Sequence, residues 1–231
     1  MSHEEMAKIA GCSKRTIEKW CTEKHKLKTW DRAKNKILNP LQQDLIIGSL
    51  LGDGHIDKRD KYPLFVVCHA ENQKDYLYYK YNILKDLCRM TPTYYKENNS
   101  AVIKGRKCQC QGFYRFNTGT YSCLDKYRKM TVFQIADCLT EYSLSIWLLD
   151  DGSRNSKGYW QLCVARYNSN EKLYLSKILK DKFNISAFAK KDSRYWNFHA
   201  KDSRSLDNII LSNIPNDLDI IQYKIFKNRK E

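Results

Sequence analysis

Past Pro40 the chain alternates between two periods of hydrophobic recurrence. Asp44 to Leu51 is almost continuously apolar and predicts a buried helix. His55–Lys58 and Leu64–His69 suit strands, Lys74–Leu87 a helix, Thr93–Lys96 and Gln109–Asn117 two more strands, and Ser122–Lys126 a closing helix. The clearest alternation runs from Tyr195 to His199, with Trp196 and Phe198 on one side and Tyr195, Asn197 and His199 on the other. In the related strand, Tyr114 and Phe116 point to a core and leave Gln109, Gln111, Arg115 and Asn117 on the open side. An antiparallel sheet with an apolar back and a polar, basic front can lie in a major groove, where amides, hydroxyls and guanidiniums read base edges. Gln161, Arg194, Asn197 and His199 would serve that front in the later strands.

The succession helix, strand, strand, helix, strand, strand, helix occurs twice. Leu50-Leu51-Gly52-Asp53-Gly54 returns as Leu148-Leu149-Asp150-Asp151-Gly152, a shift of 98 positions. The same shift carries Leu64 and Val66 onto Leu162 and Val164, and Tyr76-Leu77 onto Tyr174-Leu175. Further on, Tyr114, Phe116, Leu124 and Asp125 match Trp196, Phe198, Leu206 and Asp207 at a shift of 82. The difference, 16 residues, is extra length in the first copy around Asn98 to Lys107. Two copies in one chain, residues 40–127 and 128–231, imply a pseudo-twofold structure in which a monomer imitates a dimer.

Residues 1–39 follow another pattern. Ser2 and Glu5 have capping-box spacing, Gly11 ends the first helix, and Ser13 caps a second whose apolar face is Ile17, Trp20 and Cys21. Ala7, Gly11, Ile17 and Trp20 are spaced as in a helix-turn-helix, with a plain helical hairpin as the alternative. Ser13, Lys14, Arg15 and Lys19 would meet nucleic acid, and six basic residues between Lys24 and Lys36 would lie along phosphates.

Charge supports that picture. Forty-one Lys and Arg against 26 Asp and Glu give +15, an excess that opposes compactness unless a polyanion answers it. Composition does not separate RNA from DNA. Nine scattered cysteines and no hydrophobic leader after Met1 point to reduced thiols inside a cell: a prokaryotic or phage-infected cytoplasm, or an organelle that encodes the protein. Apolar runs are too short to span a bilayer, so no membrane partner is expected. Cys108 and Cys110 lack a second pair at zinc spacing and are read as core residues. His69 and His199 each end a strand and are read as groove contacts or exposed residues. Arg154 and Lys157, in a loop after the second motif, could hold phosphate.

The doubled segment carries the chemistry. Ile46 to Gly54 is an apolar helix in which Gly48 and Gly52 share one face and allow close approach of another helix. It ends at Asp53, and its twin ends at Asp151. If the helices pack about the twofold axis, two acids meet at one end of the seam, where a hard divalent cation such as Mg²⁺ is the natural neutraliser. Asp150 is a neighbour, solvated or hydrogen-bonded, with a swapped ligand role as the alternative. Ile146 and Asp150 stand at the third and seventh positions of the second motif, where the first has Gly48 and Gly52, which bears on how closely the helices approach.

Both segments resemble the motif of LAGLIDADG homing endonucleases, and their doubling resembles the single-chain subgroup, over about Asp44 to Lys224. The resemblance implies an α+β fold, a duplicated αββαββα unit with pseudo-twofold symmetry and antiparallel saddle-like sheets, here with a small helix-turn-helix added. It implies a monomer that hydrolyses one phosphodiester per strand of a long, asymmetric double-stranded DNA site with Mg²⁺, tolerating Mn²⁺. Such proteins are typically encoded within introns or inteins. The resemblance makes Asp53 and Asp151 the metal-binding acids, with Gly52 and Asp150 beside them. It makes Lys129 (Arg128 as its alternative) and Lys224 the basic residues that orient water and offset phosphate charge. An RNA maturase bound to its own intron, or a non-catalytic DNA-binding regulator, is the alternative on the same fold.

Overall fold

A computed structural model describes residues 2–9, 13–19, 21, 36–57, 62–96, 100–103, 106–109, 112–189 and 194–226. Its main helices begin where short polar side chains satisfy the free N–H groups of a first turn. Asn39 Oδ1 accepts from the Gln42 N–H at 2.9 Å and Gln42 Oε1 from the Asn39 N–H at 3.1 Å, with Pro40 at the first helical position. That box starts the first motif helix four residues earlier than its apolar run suggested. Thr140 with Ser143 and Asn168 with Glu171 form equivalent boxes at two later helices.

In chain order, α1 is His3–Ile9 and α2 residues 14–19. The first copy comprises α3 (Pro40–Leu51), β1 (Gly54–Asp57), β2 (Leu64–Ala70), α4 (Lys74–Leu84), β3 (Thr93–Tyr95), β4 (Ser100–Ile103), β5 (Arg106–Gln109), β6 (Phe113–Asn117), α5 (Asp125–Lys129) and α6 (Val132–Asp137). The second comprises α7 (Glu141–Asp151), β7 (Gly152–Arg154), β8 (Trp160–Cys163), α8 (Ser169–Phe183), β9 (Ala187–Ala189), β10 (Tyr195–Phe198), α9 (Ala200–Asn213), α10 (Asp219–Ile221) and a π-helical turn, Gln222–Phe226.

Two antiparallel four-stranded sheets have the same order, β1-β2-β6-β3 and β7-β8-β10-β9. The extra length of the first copy is a separate hairpin, β4–β5. This splits the strand expected over Gln109–Asn117: Gln109 pairs with Ser100 and is not on the front of the four-stranded sheet. Gln111 and Cys110 lie outside the described residues.

Strand register also corrects the matching of the copies. Gly54 pairs with Val67 and Val67 with Phe116, while Gly152 pairs with Leu162 and Leu162 with Trp196. Val67 is therefore the counterpart of Leu162, and Phe116 that of Trp196. The 98 shift that aligns the motifs fails in the strands because the second β-hairpin is tighter.

In the first copy α4 packs on β2 and β6, in the second α7, α8 and α9 pack on the sheet, and α3 and α7 pack against each other at the centre. Leu45, Ile46, Leu51, Leu144, Ile146, Trp147 and Leu148 are fully buried there, and each such side chain contributes about 1.5–3 kcal/mol by leaving water. The approach depends on two glycines. A Cβ on Gly48 would fall 2.3 Å from the Ser143 carbonyl oxygen and 2.7 Å from Ile146 Cβ; one on Gly52 would fall 2.4 Å from Asp150 Cβ. Ile146 and Asp150 thus fit against the two small residues of the facing helix, and the seam stays close without four glycines.

At the N-terminus, Ser2 and Glu5 form the expected capping box, and Ser13 Oγ accepts from the Thr16 N–H. Gly11, Trp20 and the basic stretch 22–35 lie outside the described residues.

Candidate active site

The seam delivers both motif ends to one place. Asp150 lies at its centre, its side chain fully covered. Oδ1 accepts from Lys80 Nζ at 2.6 Å and the Tyr76 hydroxyl at 2.9 Å, and Oδ2 from Lys80 Nζ at 2.8 Å and the Asp53 N–H at 3.0 Å. Lys80 is equally buried and stands over the Tyr76 ring, 4.6 Å from its centroid. Asp150 is the hydrogen-bonded neighbour of the sequence reading, and nothing of it is solvated.

Asp53 faces outward, its side chain 40% exposed, while one oxygen turns back to His69. His69 Nδ1 is 3.3 Å from Asp53 Oδ2 and 3.1 Å from Gln73 Oε1; Nε2 has no hydrogen-bond partner and lies 3.8 Å from Asp150 Oδ1. Asp53, His69 and Asp150 offer ligand atoms within 4.8 Å of one another. This cluster is a clamp, not a cation site: both Asp150 oxygens are taken, and the Lys80 ammonium would repel a second cation.

The two motif-terminal acids are electrostatically unlike. Burial works to raise the Asp53 carboxyl, but the His69 hydrogen bond and the charges of His69, Lys80 and Lys224 outweigh it and leave it below the usual carboxylate value. Burial raises Asp151, and the Asp53 charge adds to this; against Arg166 and Lys224 its pKa reaches about 6. The two carboxylates are close enough to act on each other.

Cations hold the helix ends. Lys224 Nζ donates to the carbonyls of Leu149 (2.5 Å) and Gly152 (2.7 Å), capping α7, and its burial lowers its pKa to about 8. Arg166, just beyond β8, donates to the carbonyls of Gly52 (2.9 Å) and Leu50 (2.5 Å), and Tyr167 donates to Leu51 at 2.8 Å. The Gly52 oxygen is thus engaged by a guanidinium. Lys224 lies where its charge acts on both acids. Lys129 is exposed at the end of α5, Arg128 pairs with Asp125 at 2.7 Å, and among the described residues the cations acting on Asp53 and Asp151 are others.

Two expectations are overturned. Arg154 is not a loop residue free to grip phosphate. It lies in β7 with a buried side chain, paired with Asp207, stacked 4.3 Å over Trp160, and donating to the Lys224 carbonyl at 2.9 Å. His69 does not face the groove: it shares the inward side of β2 with Phe65 and Val67 and is 3% exposed. The alternation of that strand was the available signal. Lys80 carried one too, sitting four residues from both Tyr76 and Leu84 on the buried face of α4.

The groove candidates are distributed as follows. Arg115, half-buried, lies opposite Cys68 and Thr93; Asn117 is exposed; Gln161 donates to Ser153 Oγ at 3.0 Å. Asn197 is 9% exposed, flanked by Gln161 and Phe188, so little of it remains to read a base. Arg194, Lys157 and His199 are exposed, His199 stacked on Phe188. Ser13, Lys14, Arg15 and Lys19 are exposed, and Lys14 pairs with Glu4 at 2.7 Å. Cys21, Cys68 (beside Arg115), Cys88, Cys123, Cys138 and Cys163 are free thiols. No helix among the described residues is long and apolar enough to cross a membrane.

The model of the LAGLIDADG DNA endonuclease family matches residues 43–205, spanning both motifs. The chain belongs to this family. It is 27% identical over 168 residues to the DNA endonuclease I-ChuI of Chlamydomonas applanata, covering 64% of this chain and 75% of that protein. It is 28% identical over 182 residues to the cytochrome b mRNA maturase bI2 of Saccharomyces cerevisiae, covering 69% of this chain but only 41% of the maturase. Among solved structures, the homing endonuclease I-WcaI bound to its DNA recognition sequence matches with a TM-score of 0.68 at 23% identity, over 82% of this chain and 88% of that one. The LAGLIDADG fold is thereby established, with its two motif helices at the twofold seam.

Proposed function

We propose that the chain is a site-specific double-strand DNA endonuclease acting as a monomer on a long, asymmetric target with a divalent cation. One observation carries this: α3 and α7 end together, so that the Asp53 charge acts on the Asp151 carboxyl and helps raise it to about 6. Two partly buried carboxylates in mutual repulsion, one of them open to solvent, are a donor set that a hard cation relieves, and the residues fit Mg²⁺. Asp53 and Asp151 would hold it. When bound, such a cation supplies Lewis-acid stabilisation to a phosphodiester under attack by water.

The remaining work falls to the chain. Lys224 and Arg166 hold positive charge beside the acids and brace the helix ends that carry them. Arg115, Asn117, Gln161, Arg194 and His199 would follow the groove, and residues 1–39 would extend the contact at one end. Residues 40–127 and 128–231 would each address half of the target.

Metal affinity should depend on pH through Asp151. Its folded-state pKa lies above the unfolded value, so the stability gained from holding the proton is complete below about pH 4 and is lost as pH rises through about 6. Cation binding must displace that proton, so affinity should fall about tenfold between pH 7 and pH 5. Asp53, with its lowered pKa, stays ionised across this range. Calorimetric Mn²⁺ titration at both values checks this, and equal affinities would exclude Asp151 as a ligand.

Incubation with a duplex spanning the exon junction that the coding intron interrupts, with Mg²⁺, should cut both strands, and chelation should abolish the cut. The maturase relative favours one other reading, binding of the host intron RNA; tight RNA binding with no DNA cleavage would replace the nuclease assignment with it.

A further inference from the structure

Among the described residues, the clamp on Asp53 has no twin around Asp151. Motif alignment puts Gly52 where the other helix has Asp150. Sheet register puts Val164 where the first copy has His69, since Val67 corresponds to Leu162 and each lies two residues further on. Where the buried face of α4 carries Lys80, that of α8 is apolar, with Leu175, Ile178 and Leu179. Val164 is fully buried and Ile178 8% exposed, so apolar packing stands in place of the polar network.

His69 is costly to keep where it is. Its ring is 3% exposed and lies 5.0 Å from the Tyr76 ring, with Nε2 unpartnered. A buried polar atom without a partner is destabilising because its lost hydration is not replaced. Its other nitrogen, Nδ1, faces Gln73 Oε1 at 3.1 Å and Asp53 Oδ2 at 3.3 Å, and of these two the carboxylate can only accept. The exposed acid at the motif end is therefore paired with a ring that is itself buried and anchored to Gln73.

We propose that His69 is a positioning residue for Asp53, orienting that carboxylate so that the Asp53 centre is organised before cation and DNA arrive, whereas the Asp151 centre is organised by them. This rests on the reading of Asp53 and Asp151 as the metal-binding acids. Donors behind a ligating carboxylate fix which oxygen it presents, and removing one typically lowers affinity or activity about 10–100-fold.

Two amide substitutions separate orientation from packing. His69→Asn keeps an N–H close to the place of Nδ1, and His69→Gln moves the amide out to the place of Nε2, towards Asp150. In the full chain, His69→Gln should weaken the tightest Mn²⁺ association seen by calorimetry about tenfold, and His69→Asn should stay within about threefold of wild type. On target duplex labelled on each strand, His69→Gln should change the ratio of the two strand-cleavage rates about tenfold, and His69→Asn should leave it unchanged. Equal losses in both variants, or no loss in either, overturn the positioning role while wild-type cleavage still stands. A wild-type chain that cuts no DNA but shows the Asn/Gln difference in Mn²⁺ affinity would sink the nuclease reading and retain the role of His69.

Discussion

Lys80→Met is expected to cost about 3–5 kcal/mol of folding stability, the range for stripping one partner from a buried ion pair. The substitution nearly conserves volume, so packing contributes little. What remains is the Asp150 carboxylate, fully covered, with only the Tyr76 hydroxyl and the Asp53 N–H to answer its charge. Combining Lys80→Met with Asp150→Leu should recover most of the loss, because apolar replacements of a whole buried pair are often neutral. Urea unfolding of the three variants measures this. A single-variant loss under about 1 kcal/mol would show that the pair is no strut between the copies.

Asp53→Asn and Asp151→Asn should each lower double-strand cleavage on the order of a thousandfold or more. Lewis-acid stabilisation is worth several kcal/mol, and each 1.36 kcal/mol is a factor of ten in rate. DNA affinity should hold or rise slightly, since each change removes a negative charge facing phosphates. Gel-shift and cleavage assays on one target separate the two quantities. Loss of binding together with cleavage would make the acids structural. The variants should differ in the metal-free protein: Asp151→Asn relieves a repulsion felt above pH 6, whereas Asp53→Asn forfeits the interaction with His69.

The doubled element order was legible because a helix and a strand print different periods on the chain, and because a copied motif repeats its residues in order. Alternation in β10 placed Trp196 and Phe198 inward correctly. The same rule, followed to the end of β2, would have turned His69 inward with Phe65 and Val67. Arg154 misled for another reason: a guanidinium after a motif suggests phosphate, and only the arrival of Asp207 and Trp160 reveals its partner.

Local order in the sequence therefore settled the family, the two copies and the acids that end the motifs, while the helix starts at Asn39 and Thr140 emerged only in the structure. Assembly settled what those acids experience. The Asp53 N–H meets Asp150 across 97 residues, Lys80 meets it across 70, and Arg166 reaches Gly52 across 114. Periodicity states which face of an element turns inward, but the energy of a charge depends on its distance from other charges and on the water excluded around it. Those quantities exist only once the copies have closed on each other, and their closing left Asp53 below and Asp151 above the usual carboxylate pKa.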